Sequence, residues 1–340
     1  MNSESISAVK NLLNTPKNIV VVGHKNPDGD AIGSCLGLAN FLRQKGHFVT
    51  VVMPNDFPDF LKWIPETSTV INYEQHQEKS EEVVANSDII FTLDFNALNR
   101  TGNLQGSLEA ASADFVLIDH HQQPDDYAIV KYSDVSICST SQMVFHFMDA
   151  LEGLEFLNAE IATQLYVGIM TDTGSFRYPA TTATTHRVIA SLIEGGAKNS
   201  EIHQNIYDTN SPDRLKLLGV ALNNLVMLPE YHAAYITISQ DELNANNFKK
   251  GDTEGFVNYA LSMIGVVFAI IFIENKSEEI VKISLRSKGS FSVNEFSRSH
   301  FNGGGHTNAA GGRSHLSLSK TVAEFISILP NYKEALSYDS

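Results

Sequence analysis

The sequence predicts an α/β protein, with a parallel-sheet N-terminal domain joined by a helical linker to a smaller α+β C-terminal domain. Three observations carry this expectation. Short, continuous apolar runs alternate with helical patterns through the first half, as they do where a parallel sheet is covered on both faces. After Pro229 the alternation gives way to apolar runs set among fewer helices. The length, 340 residues, is enough for two domains at roughly 150 residues each.

Each element follows from local pattern. Residues 18–23, NIVVVG, read as a buried strand, closed by the turn signal Asn26-Pro27-Asp28-Gly29. Across 30–45, Ile32, Leu36, Ala39 and then Leu42 or Arg43 recur around one side of a helix. Further buried strands are expected at 48–53, 88–93 and 114–118. Helices are expected at about 140–151, 159–169 and 184–194, the last stopped by Gly195-Gly196. Residues 200–228 are mostly helical in pattern, with Ser211-Pro212 opening a new helix. Strands at 232–239, 265–273 and 279–285 belong to the second domain, which closes in the glycine clusters 303–305 and 311–312. The expected boundaries are 1–187 for the first domain, 188–229 for the linker and 230–340 for the second domain.

Composition narrows the class. Hydrophobic residues make up 43% and charged residues 19%, which excludes a disordered or collagen-like chain. Cys35 and Cys138 are too few for a disulfide framework or a zinc finger. The longest apolar run, 263–273, is far shorter than the roughly 18 residues of a membrane span, and the N-terminus carries no apolar core of signal-peptide length. A soluble, cytoplasmic protein is expected. The net charge of −15 argues against a long nucleic-acid track held by basic patches. The acidity is concentrated early, with 14 basic against 27 acidic residues through position 229 and 10 against 12 beyond it.

Four polar clusters follow four apolar segments. They are His24, Asp28 and Asp30 in GHKNPDGDAIGS, Asp94 in FTLDFNALNR, Asp119-His120-His121 in DFVLIDHH, and Asp172 in VGIMTDTGSF. Strand C-termini of a parallel sheet share one edge, so the first three converge by topology. Taken singly, an Asp after a strand is a turn former or helix cap, and a loop His is a hydrogen-bonded structural residue. Asp30 could simply cap its helix. The repeated placement at matching ends is what those readings leave unexplained, and it points to a metal site. Carboxylates with imidazole and no nearby thiolate suit Mn²⁺ or Mg²⁺ better than structural zinc. The ligands exceed what one octahedral ion needs, so two ions sharing a carboxylate is the economical arrangement, and it is the clamp used for displacement at phosphorus. In the second domain, Gly303-Gly304-Gly305 would let backbone amides approach a phosphate; His306 follows at once, and Arg286 ends VKISLR, where a guanidinium can bind phosphate bidentately. No Lys-Ser/Thr follows the glycines, so this is not a P-loop.

HKNPDGDA, LDF, DHH and GIMTDTGSF, in that order, resemble the four motifs of the DHH phosphoesterases, and LRS followed by FNGGGHTNAAGG resembles the DHH-associated C-terminal domain. The likeness spans roughly residues 18–315 and is most similar to the bifunctional oligoribonuclease (nano-RNase)/pAp phosphatase type. That resemblance implies hydrolysis of short RNA to mononucleotides and of 3′-phosphoadenosine 5′-phosphate (pAp) to AMP and phosphate. It also implies two divalent ions, Mn²⁺ first, with Mg²⁺ or Co²⁺ as substitutes. His24, Asp28 and Asp94 would hold one ion; Asp30, Asp94, His120 and Asp172 would hold the other, with Asp94 bridging. His121 would sit beside the transferred phosphorus, with Asp119 supporting the histidines, and Arg286, Gly304, Gly305 and His306 would bind substrate. Arg100 and Arg298 are further candidates for phosphate, though each is read first as a surface charge. The expected partners are short RNA and small nucleotides, with no membrane, and a homodimer stays open.

Two other readings remain at this point. One is a phosphodiesterase of cyclic dinucleotides or of linear products such as pApA. The other, from a different class, is a nucleotide-binding regulator without catalysis, which the intact clusters argue against. An exopolyphosphatase or pyrophosphatase ranks lower, because a compact inorganic substrate would favour a more basic lining around the glycines.

Overall fold

A computed structural model describes residues 1–337 and separates the chain into two compact units, Met1–Thr209 and Asn210–Ser340. The first unit runs α1 (Ser3–Leu12), β1 (Asn18–Val22), α2 (Gly29–Gln44), β2 (Phe48–Met53), β3 (Ile71–Asn72), α3 (Gln77–Ala85), β4 (Ile89–Leu93), α4 (Gln105–Glu109), β5 (Asp114–Asp119) and β6 (Val130–Ser133). It closes with α5 (Thr140–Ala150), α6 (Ala159–Asp172), α7 (Ala183–Glu194) and α8 (Asn199–Tyr207).

Its six strands form one sheet in the order β3-β2-β1-β4-β5-β6, every pair parallel. The unbroken apolar runs now have a physical reason. In β1, Ile19 and Val21 enter one hydrophobic core while Val20 and Val22 enter another. In β4, Ile89, Phe91 and Leu93 join the first core and Ile90 the second. A strand buried on both faces has no polar alternation to show.

Helices α2 and α6 lie antiparallel at very close approach, with Gly29 against Thr171, Gly33 against Gln164 and Gly168, and Gly37 against Leu165. The absence of a Cβ at these glycines lets the backbones meet. The first turn of α2 and the last turn of α6 therefore fall at the same end.

The second unit runs α9 (Pro212–Asn223), β7 (Val226–Leu228), β8 (Ala233–Ile238), α10 (Gln240–Ala245), α11 (Phe256–Leu261), β9 (Phe268–Asn275), β10 (Ile280–Ser287), α12 (Val293–His300), β11 (Gly304–His306), β12 (Ala309–Ser314) and α13 (Leu318–Ile328). Its sheet has the order β11-β12-β10-β9-β8-β7 and is mixed, with only β8 and β9 parallel. Phe268, Ile270 and Phe272 of β9 enter one core, and Ala269 and Ile271 the other.

Several elements differ from the sequence reading. Residues 226–228, expected to continue a helix, form an edge strand instead, since their partner β8 is supplied by tertiary pairing. The connector expected at 188–229 contributes α8 to the first unit and α9 to the second. The glycine clusters, given no element by the sequence reading, fall in the paired strands β11 and β12, with Gly303 just before β11. Among the described residues no helix is long and apolar enough to cross a membrane.

Candidate active site

Three inner strands, β1, β4 and β5, deliver polar groups to the same sheet edge. His24 follows β1, Asp94 follows β4, and Asp119 ends β5 with His120 next. Asp94 adopts a left-handed backbone at φ 64°, a conformation that Asp tolerates better than most residues. Two helix ends complete the cluster. Asp28 is the N-cap of α2, accepting from the amides of Asp30 and Ala31 at 3.0 and 3.1 Å. Asp30, rather than capping, turns inward from the first turn and is 1% exposed. Asp172 lies in the last turn of α6, where a carboxylate meets the negative end of the helix dipole.

The histidines are oriented by the backbone. His24 Nδ1 donates to the Lys25 carbonyl at 2.9 Å and His120 Nδ1 to the Ile137 carbonyl at 3.2 Å. This leaves Nε2 of each facing carboxylates. His24 Nε2 is 3.5 Å from Asp94 Oδ2 and 3.8 Å from Asp28 Oδ1. His120 Nε2 is 3.3 Å from Asp94 Oδ1, 3.5 Å from Asp172 Oδ2 and 3.8 Å from Asp30 Oδ2. His121 Nδ1 donates to Asp119 Oδ1 at 2.7 Å. Asp119 is fully buried, and its Oδ2 has no hydrogen-bond partner among the described residues.

Burial and mutual charge set the protonation of this cluster. Burial opposes a charge on His24, yet Asp28 and Asp94 beside it outweigh that and raise the imidazole to about 10. Burial, then the charges of Asp94 and Asp172, push Asp30 well above the usual carboxylate range. Burial likewise carries Asp172 to about 6, against the pull of His120. Burial would also raise Asp94, but His120 and His24 hold it well below its ordinary value.

These residues fit divalent cations. The Nε2-to-oxygen separations exceed the 2.7–3.2 Å of a good hydrogen bond. Two ligands at about 2.1 Å from one ion stand about 3.0–3.6 Å apart for angles of 90–120°, which most of them match; the 3.8 Å pairs are slightly wider. Imidazoles that donate Nδ1–H to a carbonyl and present Nε2 are the usual supported metal ligands. His24, Asp28 and Asp94 form one such group and Asp30, His120 and Asp172 a second, each with its donor atoms within 4.8 Å of one another.

Two residues that the sequence reading missed belong here. The amides of Thr140 and Ser141, at the N-terminus of α5, donate to Asp30 Oδ2 and Oδ1 at 2.7 and 2.8 Å. The Thr140 hydroxyl donates to Asp94 Oδ1 at 3.0 Å. The helix at about 140–151 was legible, but a helix start gives no hint that distant carboxylates dock on it. Arg100 is exposed and meets the cluster's neighbourhood through its backbone, its carbonyl accepting from the Lys25 amide at 2.8 Å.

In the second unit, Arg286 of β10 and His306 of β11 both register against Ala309 of β12, so they fall on one cross-strand row. Arg286 Nη1 donates to the Leu285 carbonyl at 2.9 Å, while its buried Nε has no hydrogen-bond partner among the described residues. A Cβ at Gly305 would come within 2.5 Å of the Ala309 carbonyl oxygen, so the strand pairing itself demands glycine there. The Gly305 amide donates to Asn294 Oδ1 at 3.1 Å. Arg298 Nε shares that acceptor at 3.0 Å, beside Gly304.

Comparison with known proteins agrees with this architecture. Residues 18–169 match the DHH family, N-terminal domain, and residues 230–332 match the DHHA1 domain. The chain is 31% identical over 294 residues to the bifunctional oligoribonuclease and PAP phosphatase NrnA of Thermus thermophilus, covering 86% of this chain and 83% of that protein. It is 29% identical over 299 residues to the protein of the same name from Bacillus subtilis, covering 86% and 88%. An exopolyphosphatase-related protein from Bacteroides fragilis has the same fold at a TM-score of 0.94, with 37% identity and 98% of both chains covered. The chain belongs to the DHH family and carries a DHHA1 domain behind its DHH domain.

Proposed function

We propose that this hydrolase of phosphoester bonds releases mononucleotides from short RNA oligonucleotides and converts pAp to AMP and phosphate, in the cytoplasm, with two divalent cations, Mn²⁺ first among them. The observation that carries the reading is the placement of Asp94. Its Oδ2 faces the group of His24 and Asp28, and its Oδ1 faces that of His120, Asp30 and Asp172. A carboxylate shared in this way suits a two-cation centre. Similarity to proteins named as oligoribonuclease and PAP phosphatase supports the choice of substrates, and the net charge of −15 suits a substrate of a few nucleotides.

His24, Asp28 and Asp94 would hold one cation, and Asp94, Asp30, His120 and Asp172 the other. Cations held there supply countercharge for phosphoryl oxygens and lower the pKa of water. His121, held by Asp119, would present its ring to a non-bridging phosphoryl oxygen or the leaving oxygen. Arg286, Gly304, Gly305 and His306 would bind a phosphate of the substrate, Gly305 lacking the Cβ that would strike the Ala309 carbonyl oxygen.

The test is hydrolysis of pAp and of a di- or trinucleotide RNA by chelator-stripped protein with Mn²⁺ returned. Release of phosphate from the first and mononucleotide from the second is expected, with neither in excess chelator. Activity confined to cyclic dinucleotides or pApA would move the protein to the phosphodiesterase reading. Nucleotide binding with no turnover of any of these in Mn²⁺ would favour a regulator.

A further inference from the structure

Thr140 is fully buried and touches two carboxylates that come from distant elements. Its amide donates to Asp30 Oδ2 at 2.7 Å, and its hydroxyl donates to Asp94 Oδ1 at 3.0 Å. Asp30 belongs to the first turn of α2, whereas Asp94 follows β4. The Ser141 amide completes the grip on Asp30 at 2.8 Å.

The Asp94 carboxylate needs such a hold. Rotation of a carboxylate about its last bond is a broad torsion with no strong intrinsic preference, and the imidazole nitrogens that face it stand beyond the 2.7–3.2 Å of a good hydrogen bond, with His120 Nε2 at 3.3 Å, His24 Nε2 at 3.5 Å and His121 Nδ1 at 3.8 Å. The Thr140 hydroxyl, at 3.0 Å, stands nearer to this carboxylate than either imidazole does. A carboxylate oxygen can only accept, so the hydroxyl proton points at Oδ1 and occupies one lone-pair direction. That leaves the other direction of Oδ1 toward His120 and the whole of Oδ2 toward His24.

We propose that Thr140 is a positioning residue, whose hydroxyl fixes the rotation of the Asp94 carboxylate and so sets the affinity of the site for divalent cations. This rests on the two-cation reading above. Outer hydrogen-bond partners of metal ligands typically govern about 10–100-fold in affinity, and Thr140 is expected to act in that range. A hydroxyl is the feature required; the γ-methyl is not.

The experiment is calorimetric titration of the metal-stripped full chain with Mn²⁺ for the wild type, Thr140→Val, Thr140→Ala and Thr140→Ser. Melting of each in excess chelator is followed in parallel. Val and Ala are expected to weaken Mn²⁺ binding by about 10–100-fold, and Ser to restore it to within a few-fold of the wild type. Val keeps the volume of Thr, so its melting temperature in chelator should stay close to the wild-type value; Ala serves where Val packs poorly. Wild-type affinity in both Val and Ala, or failure of Ser to rescue, would overturn the role of the hydroxyl while leaving the cation site intact. Failure of the wild type itself to bind Mn²⁺ would overturn the role together with the two-cation reading beneath it.

Discussion

Alanine at Gly33 and alanine at Gly219 are the same chemical change inside a helix, and the structure gives them opposite signs. At Gly33 a Cβ would stand 2.3 Å from the Gln164 carbonyl oxygen and 3.1 Å from the Gly168 amide nitrogen, both backbone atoms of α6. Real Cβ atoms essentially never come closer than 3.0 Å, so α2 and α6 must part by about 0.7 Å or more. Overpacking of this kind costs about 1–3 kcal/mol. Neither side can rotate away, which places the cost near the upper end, and the helix propensity gained by Ala returns about 1 kcal/mol. The net loss is about 2 kcal/mol, or about 4–8 °C in melting temperature for a unit of this size. At Gly219 of α9 a Cβ meets nothing within 4 Å, so Ala should stabilise its unit by up to about 1 kcal/mol. Thermal unfolding followed by circular dichroism in excess chelator reads both variants free of any contribution from bound cations. A Gly33→Ala protein that melts at or above the wild-type temperature would refute the close-approach argument. Because α2 and α6 carry Asp30 and Asp172, that variant should also bind Mn²⁺ more weakly.

Two further outcomes are expected. Asp30→Ala removes the acceptor of two buried amides, Thr140 and Ser141, at about 1–3 kcal/mol each; in chelator it should melt below Asp172→Ala, and equal melting of the two would show that those bonds contribute nothing. His47 is 6% exposed, neither ring nitrogen has a hydrogen-bond partner among the described residues, and burial first, then Lys45 and Lys17, lowers its pKa. Its protonation is therefore resisted in the fold, and stability is lost as pH falls below the unfolded value of about 6.5. The gap between wild type and His47→Phe, read as urea midpoints, should widen in favour of the variant from pH 7.5 to pH 5.5, and a gap independent of pH would refute it.

The first sheet was legible because its strands are buried on both faces, which leaves unbroken apolar runs such as Ile19 to Val22 that local pattern alone identifies. The site residues were legible for a related reason: a parallel sheet brings its strand ends to one edge, so His24, Asp94 and His120 could be grouped from chain order. The edge strand at 226–228 was not legible, because pairing with β8 rather than local propensity makes it a strand. Paired strands at 304–306 and 309–314 were equally hidden, since glycine-rich segments have no apolar alternation to announce them.

What the sequence determined by itself is the class of fold and the set of chemical groups, since residue type and periodicity are local properties. Only the tertiary structure decided how those groups are held. It separated Asp28, a helix cap, from Asp30, whose carboxylate receives two amides from another helix. It also placed the Thr140 hydroxyl on Asp94 across 46 residues of sequence. The first needs the start of α5 packed against the start of α2, and the second needs it beside the residue that follows β4, long-range conditions that no short window of sequence records.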